Sequence, residues 1–234
     1  MYDVHLTKAF FPPQTDAELR DHTVGELLRE VAGRYREATA LVDIALDGTV
    51  GREWNYRQLL ETSERLAGVL VSRFAPGERV VVWAPNIPQW LFLEYACAFS
   101  GLVLVTANPS FQEKELRYVL EQSGAVALFL VDSFRGNAMA DIAQKAIEGN
   151  GQIREVVNLE DETVLFKQGS KLADLPGVKP TDPAQIQYTS GTTGFPKGAV
   201  LSHYNLVNNA RLFAARKKVH QQSVWANFMP MFHT

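Results

Sequence analysis

The sequence is poor in the residues that mark several classes of protein. Its 234 residues include one cysteine, Cys97, so no disulfide can form within the chain and nothing favours an oxidising compartment. Cys97 lies in an apolar, helix-like run, and we interpret it as a small buried hydrophobic residue. The five histidines do not follow the spacings of zinc ligands, and cysteine and histidine form no cluster, so we expect no structural metal site.

Charge and hydropathy exclude further classes. The net charge of −3 indicates no nucleic-acid partner. Residues 1–13 lack the basic start and apolar core of a signal peptide, so we expect a cytoplasmic protein. The run from Trp90 to Ala107 carries one charge, Glu94, and approaches the length of a membrane span. Gly101 and a change of pattern favour a helix followed by a buried strand; a membrane span is the weaker alternative, and peripheral membrane contact stays open.

Two helix starts are explicit in the first third of the chain. Thr23 and Asn55 are each followed three positions later by Glu or Gln, which is the pattern of a capping box. Each opens an amphipathic stretch with its apolar residues on one stripe. Between these helices, residues 40–46 and 50–54 flank an Asp47-Gly48 turn, and this arrangement predicts a β-hairpin.

Short apolar strands alternate with helices further along the chain. We predict strands over 80–83, 102–106, 126–131 and 155–157, and helices over 88–99, 112–122 and 137–147. Strands that are apolar on both faces and alternate with helices form parallel sheets that are covered on both sides. The sequence therefore predicts an α/β fold: a doubly wound, largely parallel sheet with flanking helices.

A change of composition suggests two subdomains. Residues 159–180 contain prolines, glycines and an acidic run, which is typical of a surface connection. We therefore predict an N-terminal α/β subdomain, residues 1–180, and the start of a second, residues 181–234. The second is expected to contain a strand, a return strand over 199–201, a helix near Ser202 and a strand over 224–229.

The most informative segment is the loop at residues 188–198, Tyr-Thr-Ser-Gly-Thr-Thr-Gly-Phe-Pro-Lys-Gly. Glycines let a polyanion approach the backbone N–H groups, hydroxyls add donors, and the lysine supplies a positive charge. The predicted phosphate-binding residues are Thr189, Ser190, Gly191, Thr192, Thr193, Gly194 and Lys197. A Walker A loop would need Gly before the lysine and Ser or Thr after it, so Pro196 and Gly198 exclude a P-loop NTPase. A simple Gly-rich turn is the alternative.

This loop resembles, residue for residue, the phosphate-loop signature of the adenylate-forming (AMP-binding) enzymes, in particular their acyl-CoA synthetase (fatty-acid–CoA ligase) branch. Residues 54–60 and 85–90, and the pairs Ser100-Gly101 and Asn108-Pro109, are similar to other segments of that family. Residues 229–233, Met-Pro-Met-Phe-His, resemble the family segment that borders the carboxylate pocket. The resemblance implies that His233 is a catalytic-site residue.

The resemblance also implies an activity. An acid–thiol ligase would use ATP with Mg²⁺ to convert a carboxylic acid, here a medium- or long-chain fatty acid, to acyl-adenylate, and would then transfer the acyl group to CoA. The alternatives are an aryl-acid–CoA ligase, an acyl-AMP ligase that loads a carrier protein, and a non-catalytic nucleotide-binding or interaction module. The family's adenine- and ribose-binding segments and its mobile C-terminal domain have no counterpart in this sequence. We therefore expect an N-terminal fragment that is inactive alone, of unknown oligomeric state.

Overall fold

The computed structural model describes residues 7, 18–45, 47–166, 174–189 and 196–233. The helices are α1 (Val24–Arg34), α2 (Tyr56–Val71), α3 (Pro88–Ser100), α4 (Glu113–Ser123), α5 (Met139–Ile147), α6 (Glu162–Leu165) and α7 (His203–Arg216). The strands are β1 (Thr39–Ile44), β2 (Val50–Asn55), β3 (Arg79–Trp83), β4 (Val103–Thr106), β5 (Ala127–Leu130), β6 (Glu155–Asn158), β7 (Pro183–Thr189) and β8 (Lys197–Ser202).

A six-stranded sheet in the order β6-β5-β3-β4-β7-β8 forms the centre of the fold. Strands β3 to β7 run parallel, and β8 pairs antiparallel with β7. Val80, Val81 and Val82 of β3 are fully buried because β4 and β5 flank the strand and helices cover both faces. The predicted doubly wound, largely parallel sheet is therefore confirmed.

The helices form a layer on each face of this sheet. Because crossovers between parallel strands are right-handed, α3, which leads from β3 to β4, lies on the opposite face from α4, which leads back past β3 to β5. Helix α3 packs against α1 and α2, and α4 packs against α5. The predicted capping boxes of α1 and α2 are present, with reciprocal bonds between Thr23 and Glu26 and between Asn55 and Gln58.

The apolar run from Trp90 to Ala107 is helix α3 followed by strand β4, as predicted. Within the described residues, we find no helix with the length and hydropathy needed to cross a bilayer. Cys97 is buried in the core, and burial raises the pKa of its thiol. This confirms its interpretation as a buried apolar residue.

Other predictions of the sequence require correction or stay open. The predicted strand over 224–229 is wrong: this segment has no regular structure, and Val224 and Phe228 are 96% and 90% exposed. An apolar run forms a strand only where another strand is in position to pair with it. The predicted connection contains a short helix, α6. The sheet continues across residue 180, because β7 pairs with β4; the division into two subdomains there stays a prediction.

Candidate functional site

The two ends of the predicted phosphate loop, Thr189 and Lys197, lie at one edge of the central sheet. Strands β3, β4, β5 and β7 end at this edge, and β8 begins there because it runs antiparallel to β7. Thr189, the last residue of β7, is paired with Lys197, the first residue of β8. In open α/β sheets, ligands bind outside the carboxyl ends of the strands. The fold therefore places both ends of the loop where such sheets bind their ligands.

Lys197 is exposed at this edge, which leaves its ammonium group accessible to an anion. The Thr189 hydroxyl lies beside it and donates a long hydrogen bond to the Lys197 carbonyl oxygen at 3.4 Å. The five other predicted loop residues, Ser190, Gly191, Thr192, Thr193 and Gly194, lie outside the described residues. Their roles stay predictions, and the described geometry concerns the two ends of the loop.

Gly198 follows Lys197 at a position where a side chain would not fit. A Cβ atom there would lie 2.9 Å from Ile186 Cγ2 and 3.3 Å from Tyr188 Cζ. Both neighbours belong to β7, so the glycine lets the two strands of the hairpin approach closely next to the loop. The third glycine of the loop motif therefore has a packing role that is visible in the structure.

Helix α4 contacts both strands near the loop, a feature that the sequence analysis did not detect. The Tyr118 hydroxyl donates to the Pro196 carbonyl oxygen at 3.0 Å, and the Tyr188 hydroxyl donates to Gln122 Oε1. Burial, and next the neighbouring Tyr118, raises the pKa of Tyr188 to about 12, so its hydroxyl stays protonated as a donor. These contacts join residues that are 66 and 78 positions apart, so no local sequence pattern predicts them.

His233 lies on a segment that is held against the same edge. Asn86, just after β3, donates from Nδ2 to the Met229 carbonyl oxygen and accepts from the Met231 N–H, both at 2.8 Å. The Thr106 hydroxyl, at the end of β4, donates to the Phe232 carbonyl oxygen at 3.0 Å. The His233 ring stacks on Phe232 with 6.3 Å between the ring centroids. The sequence analysis had included Asn86 only in the segment 85–90 that resembles the family, without a role at the site.

The structure thus places the two candidate groups above two strands, β4 and β8, that are separated by β7. The Phe232 carbonyl is bonded at the end of β4, β7 is the next strand, and Lys197 begins the strand after that. His233, like Lys197, is exposed. This arrangement offers a cation and an imidazole, both exposed, along one edge of the sheet.

Two titratable groups lie toward the opposite end of the sheet from the loop, near the start of β7 and the end of β8. Glu94 of α3 lines a small cavity with residues of α1, β4, β7 and α7, and burial raises the pKa of its carboxyl to about 7. His203, at the start of α7, is fully buried and accepts from the Val24 N–H through Nδ1 at 3.4 Å. Burial lowers the pKa of this histidine. The raised pKa keeps the Glu94 carboxyl mostly protonated below about pH 7, and the lowered pKa of His203 favours its neutral imidazole.

No cluster of histidine, cysteine, aspartate or glutamate suited to a metal ion occurs in the part of the chain that the structure describes. The described members of the candidate phosphate site are the Lys197 ammonium and the Thr189 hydroxyl. Such donors suit phosphate oxygens, which accept hydrogen bonds and carry negative charge.

Comparisons with known proteins agree on one family. Residues 28–234 match the family described as AMP-binding enzyme. The human mitochondrial medium-chain acyl-CoA ligase ACSF2 is 32% identical over 240 residues, which cover 89% of this chain. The acyl-CoA ligase SID4 of Ajellomyces capsulatus is 31% identical over 251 residues, which cover 98% of it. The chain spans 38% and 41% of the lengths of these two relatives.

Solved structures share the fold. The crystal structure of VinN superposes with a TM-score of 0.77 at 25% sequence identity. The match covers 92% of this chain and 53% of VinN. The sheet and its helical layers are therefore an arrangement that other proteins also adopt, including the edge where the candidate site lies.

Proposed function

The chain belongs to the AMP-binding enzyme family, and from this premise we propose that it supplies the phosphate-binding part of an enzyme that activates a carboxylic acid with MgATP. The product of this step would be an acyl-adenylate, and CoA would then receive the acyl group. The observation that carries the proposal is the exposed Lys197, paired with Thr189 at the carboxyl edge of the sheet.

The chemistry explains why a cation is needed at this point. An ionised carboxylate oxygen attacks the α-phosphorus of ATP, a new P–O bond forms, and the bond to pyrophosphate breaks with its electron pair on the leaving group. A carboxylate is a poor nucleophile toward a polyanion, so catalysis depends on neutralising and orienting the phosphates. At an effective dielectric constant of about 20, a unit charge pair at about 4 Å is worth about 4 kcal/mol. Lys197 would provide this stabilisation for the departing pyrophosphate.

The hydroxyls and backbone N–H groups of the loop would orient the same phosphates. Thr189 is the described member of this set, and Ser190, Gly191, Thr192, Thr193 and Gly194 would complete it. Magnesium enters with ATP as part of the substrate complex. Lysine and hydroxyl donors fit the phosphate oxygens of that complex.

His233 would border the site of the acid. The segment that carries it is bonded to the ends of β3 and β4, while the loop lies at the ends of β7 and β8. A carboxylate held near His233 would therefore approach ATP from the side opposite Lys197. We propose a medium- or long-chain fatty acid as the substrate, supported by the relative that is named a medium-chain acyl-CoA ligase. A cytoplasmic location stays a prediction; the human relative is named as mitochondrial.

Acid-dependent exchange between ATP and pyrophosphate tests the proposal. The protein encoded by the complete reading frame would be assayed with octanoate, palmitate and benzoate, and residues 1–234 would be assayed in parallel. We expect exchange that depends on a fatty acid in the complete protein and none in the 234-residue chain. Exchange with benzoate alone would favour an aryl acid, and transfer to a carrier protein but not to CoA would change the acceptor. Folded protein without exchange for any acid would contradict adenylation and favour a binding module.

A further inference from the structure

We propose that Tyr118 and Gln122 of α4 form a clamp that positions Lys197 for its role at the phosphates. The inference rests on the proposed function of Lys197 and assigns to α4 a part in it. Tyr118 and Gln122 are positioning residues in this proposal, because they act on the ends of the loop and not on the substrate.

The clamp is defined by two hydrogen bonds and a ring contact. Tyr118 donates from its hydroxyl to the Pro196 carbonyl oxygen at 3.0 Å, and Gln122 accepts from the Tyr188 hydroxyl through Oε1. The Tyr118 and Tyr188 rings meet edge to face, with centroids 6.5 Å apart and planes at 74°. Tyr118 and Gln122 are four residues apart and therefore lie on the same face of α4. One helix face thus contacts β7 just before the loop and the backbone just after it.

These contacts determine the backbone on either side of Lys197. On the preceding side, the ring of Pro196 limits φ, and the bond from Tyr118 holds its carbonyl, which sets the plane of the peptide that joins Pro196 to Lys197. On the following side, Gly198 is packed against Ile186 and Tyr188. Tyr188 is itself held by Gln122. The backbone conformation at Lys197, and with it the direction of the lysine side chain, is therefore set by α4 as well as by the pairing of β7 with β8.

The position of the contacts argues for more than general stability. A hydrogen bond placed anywhere between α4 and the hairpin would join the two elements equally well. Here the tyrosine hydroxyl donates to the carbonyl oxygen of Pro196, the residue directly before Lys197. Charge stabilisation depends on distance, and a displacement of about 1 Å at a reacting group can cost about a hundredfold in rate.

Tyr118→Phe tests the clamp because it removes one oxygen and leaves the ring. Tyr35→Phe is the matched control, since the Tyr35 hydroxyl donates to Gln221 Oε1 at 3.1 Å, far from the loop in sequence. A net hydrogen bond of ordinary strength corresponds to a factor of about 2 to 13. We therefore expect amide hydrogen exchange in residues 196–202 to accelerate by about this factor in Tyr118→Phe and to stay unchanged in Tyr35→Phe.

The functional consequence is measured in the protein from the complete reading frame. We expect Tyr118→Phe to raise the KM for ATP, or to lower the rate of pyrophosphate exchange, by about 2- to 13-fold, with a melting temperature close to that of Tyr35→Phe. Tyr188→Phe, which removes the bond to Gln122, should act in the same direction. A uniform loss of folded protein would not change KM in this way.

The outcomes separate the clamp from the proposed function. Unchanged hydrogen exchange in Tyr118→Phe overturns the clamp. Accelerated hydrogen exchange with normal kinetics overturns the positioning role and leaves adenylation intact. If the parent protein itself shows no acid-dependent exchange between ATP and pyrophosphate, the proposed function fails and the positioning role fails with it. Accelerated hydrogen exchange together with altered ATP kinetics, both absent from Tyr35→Phe, supports the proposal.

Discussion

The central strand β3 and the outermost strand β8 of the sheet differ in what surrounds them. In β3, Val80 to Trp83 are fully buried, because strands lie on both sides and helices cover both faces. In β8 no residue is fully buried, and Val200 is 59% exposed, because among the described strands β8 pairs with β7 alone. Hydrophobic burial therefore concentrates stability in the parallel strands. The exposed strand β8 contributes less to folding and is free to carry charged and small residues.

This difference means that stability and activity should respond to different substitutions. A substitution in the hairpin next to the loop should impair phosphate chemistry and leave the free energy of unfolding nearly unchanged. A change in a central strand should do the reverse. The predictions that follow test this separation, beginning with the largest effect.

Lys197→Ala should have the largest effect, and it should be on activity. Loss of one preorganised electrostatic contact to a reacting group typically lowers the rate by about 10² to 10³. We expect a decrease of this size in acid-dependent pyrophosphate exchange, with the free energy of unfolding changed by less than about 0.5 kcal/mol because the residue is exposed. Lys179→Ala, an exposed lysine before β7, is the matched control and should retain normal exchange. A large loss of stability with normal pyrophosphate exchange would contradict a role for Lys197 in phosphate binding and indicate a structural role.

Glu94→Gln should change how stability depends on pH. Burial raises the pKa of this carboxyl to about 7 in the folded protein, above its ordinary value of 4.5. The folded state then binds a proton that the unfolded chain releases, so this group makes stability fall as pH rises from about 4.5 to about 7. The amide removes the effect and should stabilise the protein by up to about 3 kcal/mol at pH 8, with little gain at pH 4.

Urea unfolding at pH 4 and pH 8 would measure this difference. Glu160→Gln is the control, since Glu160 is exposed and a change there should leave the pH dependence as it is. Equal stabilities of the parent and Glu94→Gln at both pH values would show that water or a polar partner solvates the carboxylate.

Val81→Ala and Val200→Ala compare the two kinds of strand directly with one chemical change. Val81 is 0% exposed, so the lost methyl groups and the resulting cavity should cost about 1.5 to 3 kcal/mol. Val200 is 59% exposed, and its replacement should cost less than about 0.5 kcal/mol. Chemical denaturation of both variants gives the two values. Similar costs would mean that β8 contributes to the core as strongly as β3.

Asn86→Ala should have a small effect on stability and a local effect on structure. It removes both bonds that hold Met229 and Met231, at an exposed site where water can replace them, so we expect a cost of about 1 kcal/mol or less. Hydrogen exchange should accelerate in residues 229–233, while residues 196–202 stay protected. An increase in the KM for the acid without an increase for ATP would show that this segment serves the acid. Equal changes in both would show that the two sides of the site move together.

Local patterns predicted most of the fold. The capping boxes at Thr23 and Asn55 depend on residues three positions apart, and the buried strands are continuous apolar runs, so both can be read without knowledge of tertiary structure. The strand expected over 224–229 failed because pairing depends on a neighbour that a local pattern cannot supply.

The candidate site was predictable only in part for the same reason. The loop motif indicated Lys197 and its neighbours because glycine, hydroxyl and lysine occur together in one segment. Tyr118, Gln122 and Asn86 reach the site from other elements, and Asn86 contacts residues 143 and 145 positions away. Glu94 was visible as a charge in an apolar run, but its cavity is formed by five separate elements.

The burial of Cys97 makes this protein a convenient object for thiol chemistry. It is the one cysteine of the chain, and it lies 1% exposed in α3 with a thiol whose pKa is raised. A maleimide or disulfide reagent should therefore label the native protein only as fast as the core opens, which converts a labelling time course into an unfolding rate. A second cysteine introduced at an exposed position of β8 would react at once, so a fluorophore could be attached beside the loop without modifying the parent thiol.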